Sequence, residues 1–564
     1  MKTLNRTLGA ALGVALAAAA LIGTVKAQTA PAYDIIIRNG HIIDGTGNPW
    51  YSGDVAIKDG RIAAIGVLGG ATAKRVIDAT GMDVTPGYID LHTHSDLTLL
   101  DDGNAESKVR QGVTLDVIGE EGSMAPRDGL VADTSGGGAH GGGGIKEDWT
   151  TFTGYFDRLK QKGISMNVIS HVAYYQLRRV VKGYNPAPVT PADLEKMKAL
   201  LVRSMHEGAW GMVLRFESGG PTYPGDADAI VELAKVVHQL GGNVTDHVGS
   251  EGAQQDKEFD FIFRVAREAH VPVHIFHLKI RGEKNWSKMQ HFIDRINQAR
   301  AEGLDVTANQ YPYTAMNHGW SAFFPVWARE KGPVEFAKEL NDPALQQRIK
   351  NDPDFNTWYE EHGGAAGITL ATTPVPEQKK YEGMRLAAIA KLRGDADPRD
   401  TCIHIMAEAG GRIGGIFFDQ SEDNVKLIMR QPWVSIASDA GALNLKAPDM
   451  PHPRAYGTNV KVLGHYVRDE KNLTLEDAVR KMSGLPAQIL GLTDRGQIQK
   501  GFYADVVVFD PKTVADTSTY EKPESYPIGV PYVMVNGVLV VDKGQHTGAR
   551  PGMILKGRAY TGAS

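Results

Sequence analysis

A single cysteine, Cys402, is present in 564 residues. No intrachain disulfide can form, and stability has to come from a packed core. Cys402 lies in the apolar stretch Thr401–Met406 and reads as a small buried hydrophobe. Runs of basic residues, and aromatic residues interleaved with basic ones, are also missing. Lys+Arg of 61 against Asp+Glu of 66 leaves a formal net charge of -5, which excludes the electrostatic footprint of a nucleic-acid partner. Long apolar runs are absent except near the start. Met1–Ala27 carries Lys2 and Arg6, then an Ala-rich run from Leu8 to Gly23 that is short for a spanning helix. Val25-Lys26-Ala27 offers small residues at the −3 and −1 positions before Gln28, the form of a cleaved secretory signal, and no cysteine stands there to carry a lipid. The expectation is a periplasmic or secreted protein with no membrane anchor after cleavage.

Both ends are rich in short β-like runs. Tyr33–Ile37, His41–Ile43, Asp54–Lys58 and Arg61–Gly66 are separated by Asn39-Gly40, Gly45-Thr46-Gly47 and Asp59-Gly60. Ala504–Phe509, Tyr532–Val535 and Val538–Val541 follow the same manner around Asn536-Gly537. Asn-Gly and Asp-Gly predict hairpin turns. Between the ends, apolar runs alternate with helical segments such as Pro191–Glu207 and Ala227–Leu240, the pattern of a parallel α/β fold. Eight candidate strands emerge: Tyr88–His94, Thr114–Glu120, Met166–His171, Gly211–Phe216, Asn243–Val248, Val271–Lys279, Asp305–Tyr313 and Trp433–Asp439. Eight such units predict a (β/α)8 TIM-type barrel over 86–489, with its chemistry at the C-terminal ends of the strands. One connection, Thr314 to Pro432, is too long for a simple βα loop and predicts an insertion over the barrel mouth, a lid. Its Trp320, Phe323, Phe324 and Trp327 suggest an apolar wall for a substrate. The Gly-rich stretch Thr134–Gly144 lacks the lysine and setting of a phosphate-binding loop and reads as a flexible loop.

The chemistry concentrates first in Thr85-Pro86-Gly87-Tyr88-Ile89-Asp90-Leu91-His92-Thr93-His94. On a strand, alternation puts Asp90, His92 and His94 on one face. Two imidazoles at i and i+2 then converge as two ligands of one metal must, and the competing reading is a polar pair at a strand end. His247 closes Asn243-Val244-Thr245-Asp246-His247, and His277 lies in Val273-His274-Ile275-Phe276-His277-Leu278-Lys279. Alternation sets His277 and Lys279 together and His274 on the opposite side, under the helices.

P-G-Y-I-D-L-H-T-H resembles the first-strand motif of the amidohydrolase superfamily, metal-dependent hydrolases on a (β/α)8 barrel, and the likeness continues along almost the whole mature chain. It is nearest the N-acyl-D-amino-acid deacylase (D-aminoacylase) branch. That resemblance implies a small β-sandwich domain formed from both chain ends, 28–85 with 490–564. It also implies zinc ligation by His92, His94, His247 and His277, and a catalytic aspartate, Asp439, in Ser435-Ile436-Ala437-Ser438-Asp439-Ala440-Gly441. Where the branch has Gly-Asn-Cys-Gly, this chain has Gly119-Glu120-Glu121-Gly122, with Glu121 at the cysteine's position. A carboxylate can bridge two cations through its two oxygens, so the expectation is two zinc ions per chain with Glu121 between them, Glu120 being the adjacent competitor. Asp439 would complete the first ion's ligands. Lys279 in F-H-L-K and Tyr311 in N-Q-Y-P-Y match branch positions that contact a substrate carboxylate. His171 resembles a third-strand histidine that shapes the site, and Arg215 is a candidate arginine by location.

Departures occur at Leu214–Gly220, after the fourth strand, and at Gly249, where the branch has arginine. The implied activity is hydrolysis of a linear amide, an N-acyl-D-amino acid in the first instance. The alternatives are a dipeptidase or carboxypeptidase-like amidase, a hydantoinase- or dihydroorotase-like hydrolase of cyclic amides, and a non-catalytic periplasmic binding protein on the same barrel. The partner is a small amide with a free carboxylate, and an oligomer is possible.

Overall fold

The computed structural model describes residues 32–562 except 121–122, 132–144, 184, 186, 216–224, 330–332 and 447–449. The signal-like segment, Glu121 and the Gly-rich stretch 134–144 therefore lie outside the described residues. No helix among the described residues is long and apolar enough to cross a membrane.

Parallel strands that are buried on both faces need apolar residues at nearly every position. The second barrel strand, Val113–Ile118, is buried throughout. Barrel strands 1 to 3 are Tyr88–Asp90, Val113–Ile118 and Asn167–Ser170, the last continued by Val172–Ala173. Strands 4 to 8 are Met212–Arg215, Val244–His247, Val273–Ile275, Val306–Gln310 and Val434–Ile436. Neighbours pair in parallel around the ring. The ring closes where Thr93 pairs with Ala440, and Asp439 N donates to the His92 carbonyl at 2.9 Å. The connecting helices begin as their sequences dictate. Thr190 and Asp193 form a reciprocal capping box on Pro191–His206, with proline in the first turn.

Nine strands from the two chain ends form a second, hydrogen-bonded sheet. Asp83–Pro86, from the first end, pairs antiparallel with Val506–Phe509, from the second. Asp59-Gly60 and Asn536-Gly537 turn hairpins with positive φ at both residues, as the sequence predicts. Asn39-Gly40 does not turn a hairpin. Tyr33–Ile42 is one strand that shifts register between Ile37 and Gly40, so its first half pairs with Ala73–Asp78 and its second with Asp83–Pro86. A Cβ on Gly40 would lie 2.4 Å from Val84 Cγ2, and a bulge with close strand approach uses the glycine instead.

The segment after the seventh strand is an insertion with its own antiparallel sheet, Met316–Gly319, Gly414–Phe417 and Ile368–Thr372. It also has its own core, in which Cys402 is buried. Trp320, Phe323 and Phe324 are buried in that core. They pack the insertion rather than forming the apolar substrate wall expected from the sequence. Trp327 is capped by Arg348 at 3.7 Å and donates to Asp352.

Residues 552–561 leave the nine-stranded sheet and run along the barrel. Val168 N donates to Met553 O, Leu555 N to Val168 O and Gly557 N to Gly208 O.

Candidate active site

Six side chains from five strand ends converge. His92 and His94 follow the first strand, Glu120 the second, His247 ends the fifth, His277 follows the sixth and Asp439 the eighth. Two sets of potential ligand atoms lie within 4.8 Å of one another: His92, His94, Glu120 and Asp439, and then Glu120, His247 and His277. Glu120 belongs to both. Its Oε2 meets His92 Nε2 and lies 3.7 Å from His94 Nε2, while its Oε1 lies 3.7 Å from His247 Nε2. The carboxylate that faces both histidine pairs is thus Glu120, the competitor in the sequence reading, while Glu121 lies outside the described residues. Gly119 permits this placement: its φ is +113°, and a Cβ there would lie 2.3 Å from the His171 carbonyl oxygen.

Burial alone would raise the Glu120 carboxyl, but His92, His94 and His247 hold it far below the usual carboxylate range. Asp439 is likewise pushed up by burial and pulled down further by Arg454, His92 and His94. Its Oδ1 lies 2.8 Å from His94 Nε2 and 3.4 Å from His92 Nε2, and its Oδ2 2.7 Å from an Arg454 nitrogen. Two buried carboxylates against four imidazoles form an oxygen–nitrogen donor set suited to two divalent ions, zinc among them.

Strict alternation does not build this site. Val273 and Ile275 belong to the main core, whereas Phe276 packs inside the barrel with Ala173 and Val213 and stacks on His92 at 4.1 Å. His274 bonds Thr307 and Asn309 near His92 and His171, not under the helices as the sequence implied. His277 reaches the mouth because its backbone turns to φ +32°; Asp439 does so at φ +52°. Non-glycine residues hold such angles only when their surroundings enforce them, and they gather at functional sites. Asp90 does not face the ligands either; Lys108 binds it at 2.9 Å, and it accepts from Ser438 N at 3.0 Å, which steadies the residue before Asp439.

Lys279 is buried, with Nζ on Glu251 and 2.7 Å from His277 Nδ1. Tyr311 is buried beneath Arg454, 4.8 Å from its ring centre, and its hydroxyl accepts from Gln420 of the insertion at 3.0 Å. Arg215 ends the fourth strand in register with His247. His171 Nε2 lies 2.9 Å from Asn243 Oδ1, just before the fifth strand. Buried there, its pKa falls to about 4. Arg454 is the residue that sequence reading missed. It opens the helix Arg454–Lys461 within His452-Pro453-Arg454-Ala455-Tyr456-Gly457-Thr458, and the signal was that segment's one cationic side chain.

The model of the amidohydrolase family matches residues 75–330 and 378–541. An N-acyl-D-glutamate deacylase from Alcaligenes xylosoxydans xylosoxydans is 32% identical over 93% of this chain and 96% of its own length. The crystal structure of a D-aminoacylase superposes with a TM-score of 0.77 at 32% identity, covering 93% of this chain and all of that one. The N-acyl-D-glutamate deacylase of Bordetella bronchiseptica, solved with zinc and a phosphonate mimic of the tetrahedral intermediate, gives a TM-score of 0.76 at 30% identity, over 93% and 99%.

Proposed function

The chain belongs to the amidohydrolase family, and on that premise we propose that it is a zinc-dependent hydrolase of N-acyl-D-amino acids, releasing a carboxylate and a D-amino acid. The observation that carries the reading is Glu120 standing between two histidine pairs with Asp439 beside the first. Relatives similar over nearly their whole length act on N-acyl-D-amino acids, and one was solved with zinc. His92, His94, Glu120 and Asp439 would hold one ion, and Glu120, His247 and His277 the second. Bound zinc supplies Lewis-acid polarisation of the amide carbonyl and makes water a better nucleophile near neutral pH.

The remaining steps belong to the chain. Asp439 takes the proton of the attacking water as oxygen adds to the carbonyl carbon. The same carboxyl returns that proton to nitrogen as the C–N bond breaks. Arg454 fixes the second oxygen of Asp439, so the first stays aimed at the ligands. Arg454, Tyr311 and Lys279 form the cationic, hydrogen-bonding wall for a substrate carboxylate. A cyclic amide would leave this wall without a partner. Residues 1–27 add export to the reading.

The test is hydrolysis of paired N-acetyl-D- and N-acetyl-L-amino acids by zinc-loaded protein, with hydantoin and dihydropyrimidine as controls. Turnover confined to D-acids supports the proposal; turnover of the cyclic amides alone defeats it. Arg454→Met should raise KM for a free acid far more than for its methyl ester. Equal effects on both would move the anchoring role elsewhere.

A further inference from the structure

Glu251 is a buried carboxylate beside the site that the mechanism above does not use. It lies in the loop after the fifth strand, with 3% of its surface exposed. Its Oε1 lies 2.9 Å from His277 Nδ1 and also binds Lys279 Nζ, while Oε2 lies 3.7 Å from an Arg281 nitrogen. Arg281 in turn donates through Nε to Glu361 at 3.1 Å, and Arg281 N donates to the Glu251 carbonyl at 2.8 Å. Glu361 closes the helix Pro353–Glu361 of the insertion, and its other oxygen accepts from Ala253 N at 2.9 Å and from Asn285 at 3.2 Å. Lys279, Glu251, Arg281 and Glu361 are therefore a buried row of alternating charge from the ligand His277 to the insertion. The loop is pressed onto that row: a Cβ on Gly252 would stand 2.2 Å from the Glu361 carboxylate oxygens.

We infer that Glu251 is a positioning residue for two groups at once, orienting His277 toward its ion and Lys279 toward the substrate, with the insertion's Glu361 holding it in register through Arg281. Glu251 Oε1 and Lys279 Nζ both stand beside His277 Nδ1, and when the carboxylate accepts from Nδ1–H the ring presents its Nε2 lone pair in a fixed direction and with raised basicity; losing such a partner typically weakens metal affinity by about 10–100-fold. The pair also explains how an ammonium stays buried beside a ligand histidine: Glu251 balances Lys279, and Glu361 balances Arg281. The inference deepens the proposed hydrolase reading, on which it rests for the ion at His247 and His277.

The experiment titrates zinc-loaded wild type, Glu251→Gln and the double variant Glu251→Gln/Lys279→Gln with a graded chelator. Retained zinc per chain is measured by elemental analysis, and folding by circular dichroism and thermal melting. The double variant removes both members of the ion pair, so no lone charge remains buried and a folded protein is expected. The expected result is release of one ion at about 10–100-fold lower chelator strength, with the other held as in wild type. Wild-type affinity for both ions in either folded variant overturns the inference. So does equal weakening of both ions, which marks a general structural role, or a wild type that binds no ion at His247 and His277. If zinc is selectively loosened but wild type hydrolyses no N-acyl-D-amino acid, the positioning role stands and the deacylase reading falls.

Discussion

Asp439 accepts protons in the proposed chemistry, so Asp439→Asn should keep the side chain's shape and lose turnover by about 10²–10⁴-fold in kcat. Zinc content, read by elemental analysis, should persist because the histidines and Glu120 remain. Near-wild-type kcat in a zinc-replete variant would remove Asp439 from the mechanism. A second comparison decides between adjacent carboxylates. Glu120 faces both histidine pairs, so Glu120→Gln should lower zinc stoichiometry and Glu121→Gln should leave it unchanged. These residues also show how far the sequence could be read. His92, His94, His247, His277 and Asp439 were legible from motif and strand order. The choice between Glu120 and Glu121 was not, because strand phase is lost where Gly119 turns out of the extended range at φ +113°. His277 was assigned by an alternation that its own backbone breaks. Arg454 was hidden because it opens a helix beyond the eighth strand, whose placement depends on tertiary packing rather than on spacing.

At the scale of elements, the insertion was visible as excess length after the seventh strand, but the work of its aromatics was not. A sequence window does not distinguish a wall facing substrate from a core facing inward, and Trp320, Phe323 and Phe324 belong to the latter. Phe324→Ala should therefore cost about 3–5 kcal/mol, the range for emptying an aromatic core position. Thermal melting should show the loss while acyl-chain preference stays constant. A changed preference at unchanged stability would return these residues to the substrate. The bulge at Asn39-Gly40 teaches the same lesson: its local signal is that of a hairpin, and Val84 packed against the glycine decides otherwise.

For the whole molecule, the barrel and the shared sheet of the two ends followed from alternating pattern and family likeness. Its response to acid follows from groups that only the packed interior reveals. Burial lowers His274 from 6.5 to about 3 and His171 from 6.5 to about 4. The unfolded chain therefore binds protons that the folded one refuses, and stability is lost as pH falls below about 6.5. Asp83 and Asp116, raised to about 7, and Asp419, raised to about 8, act in the opposite sense. The histidine share is read as a difference. Between pH 6.5 and 5, metal-free His274→Gln should lose about 2 kcal/mol less than wild type in urea unfolding. Parallel pH profiles would show that His274 is already charged in the folded protein.

The backbone bonds that join Asp83–Pro86 to Val506–Phe509, and Val168 to Met553 and Leu555, set a chronology for the newborn chain. Its first sheet strands leave the ribosome long before their partners exist, and the third barrel strand waits for Met553 and Leu555. An incomplete chain thus carries raw, unpaired strand edges, which invite association with other chains. A chain cut before Met553 should therefore yield aggregate rather than a weakened enzyme.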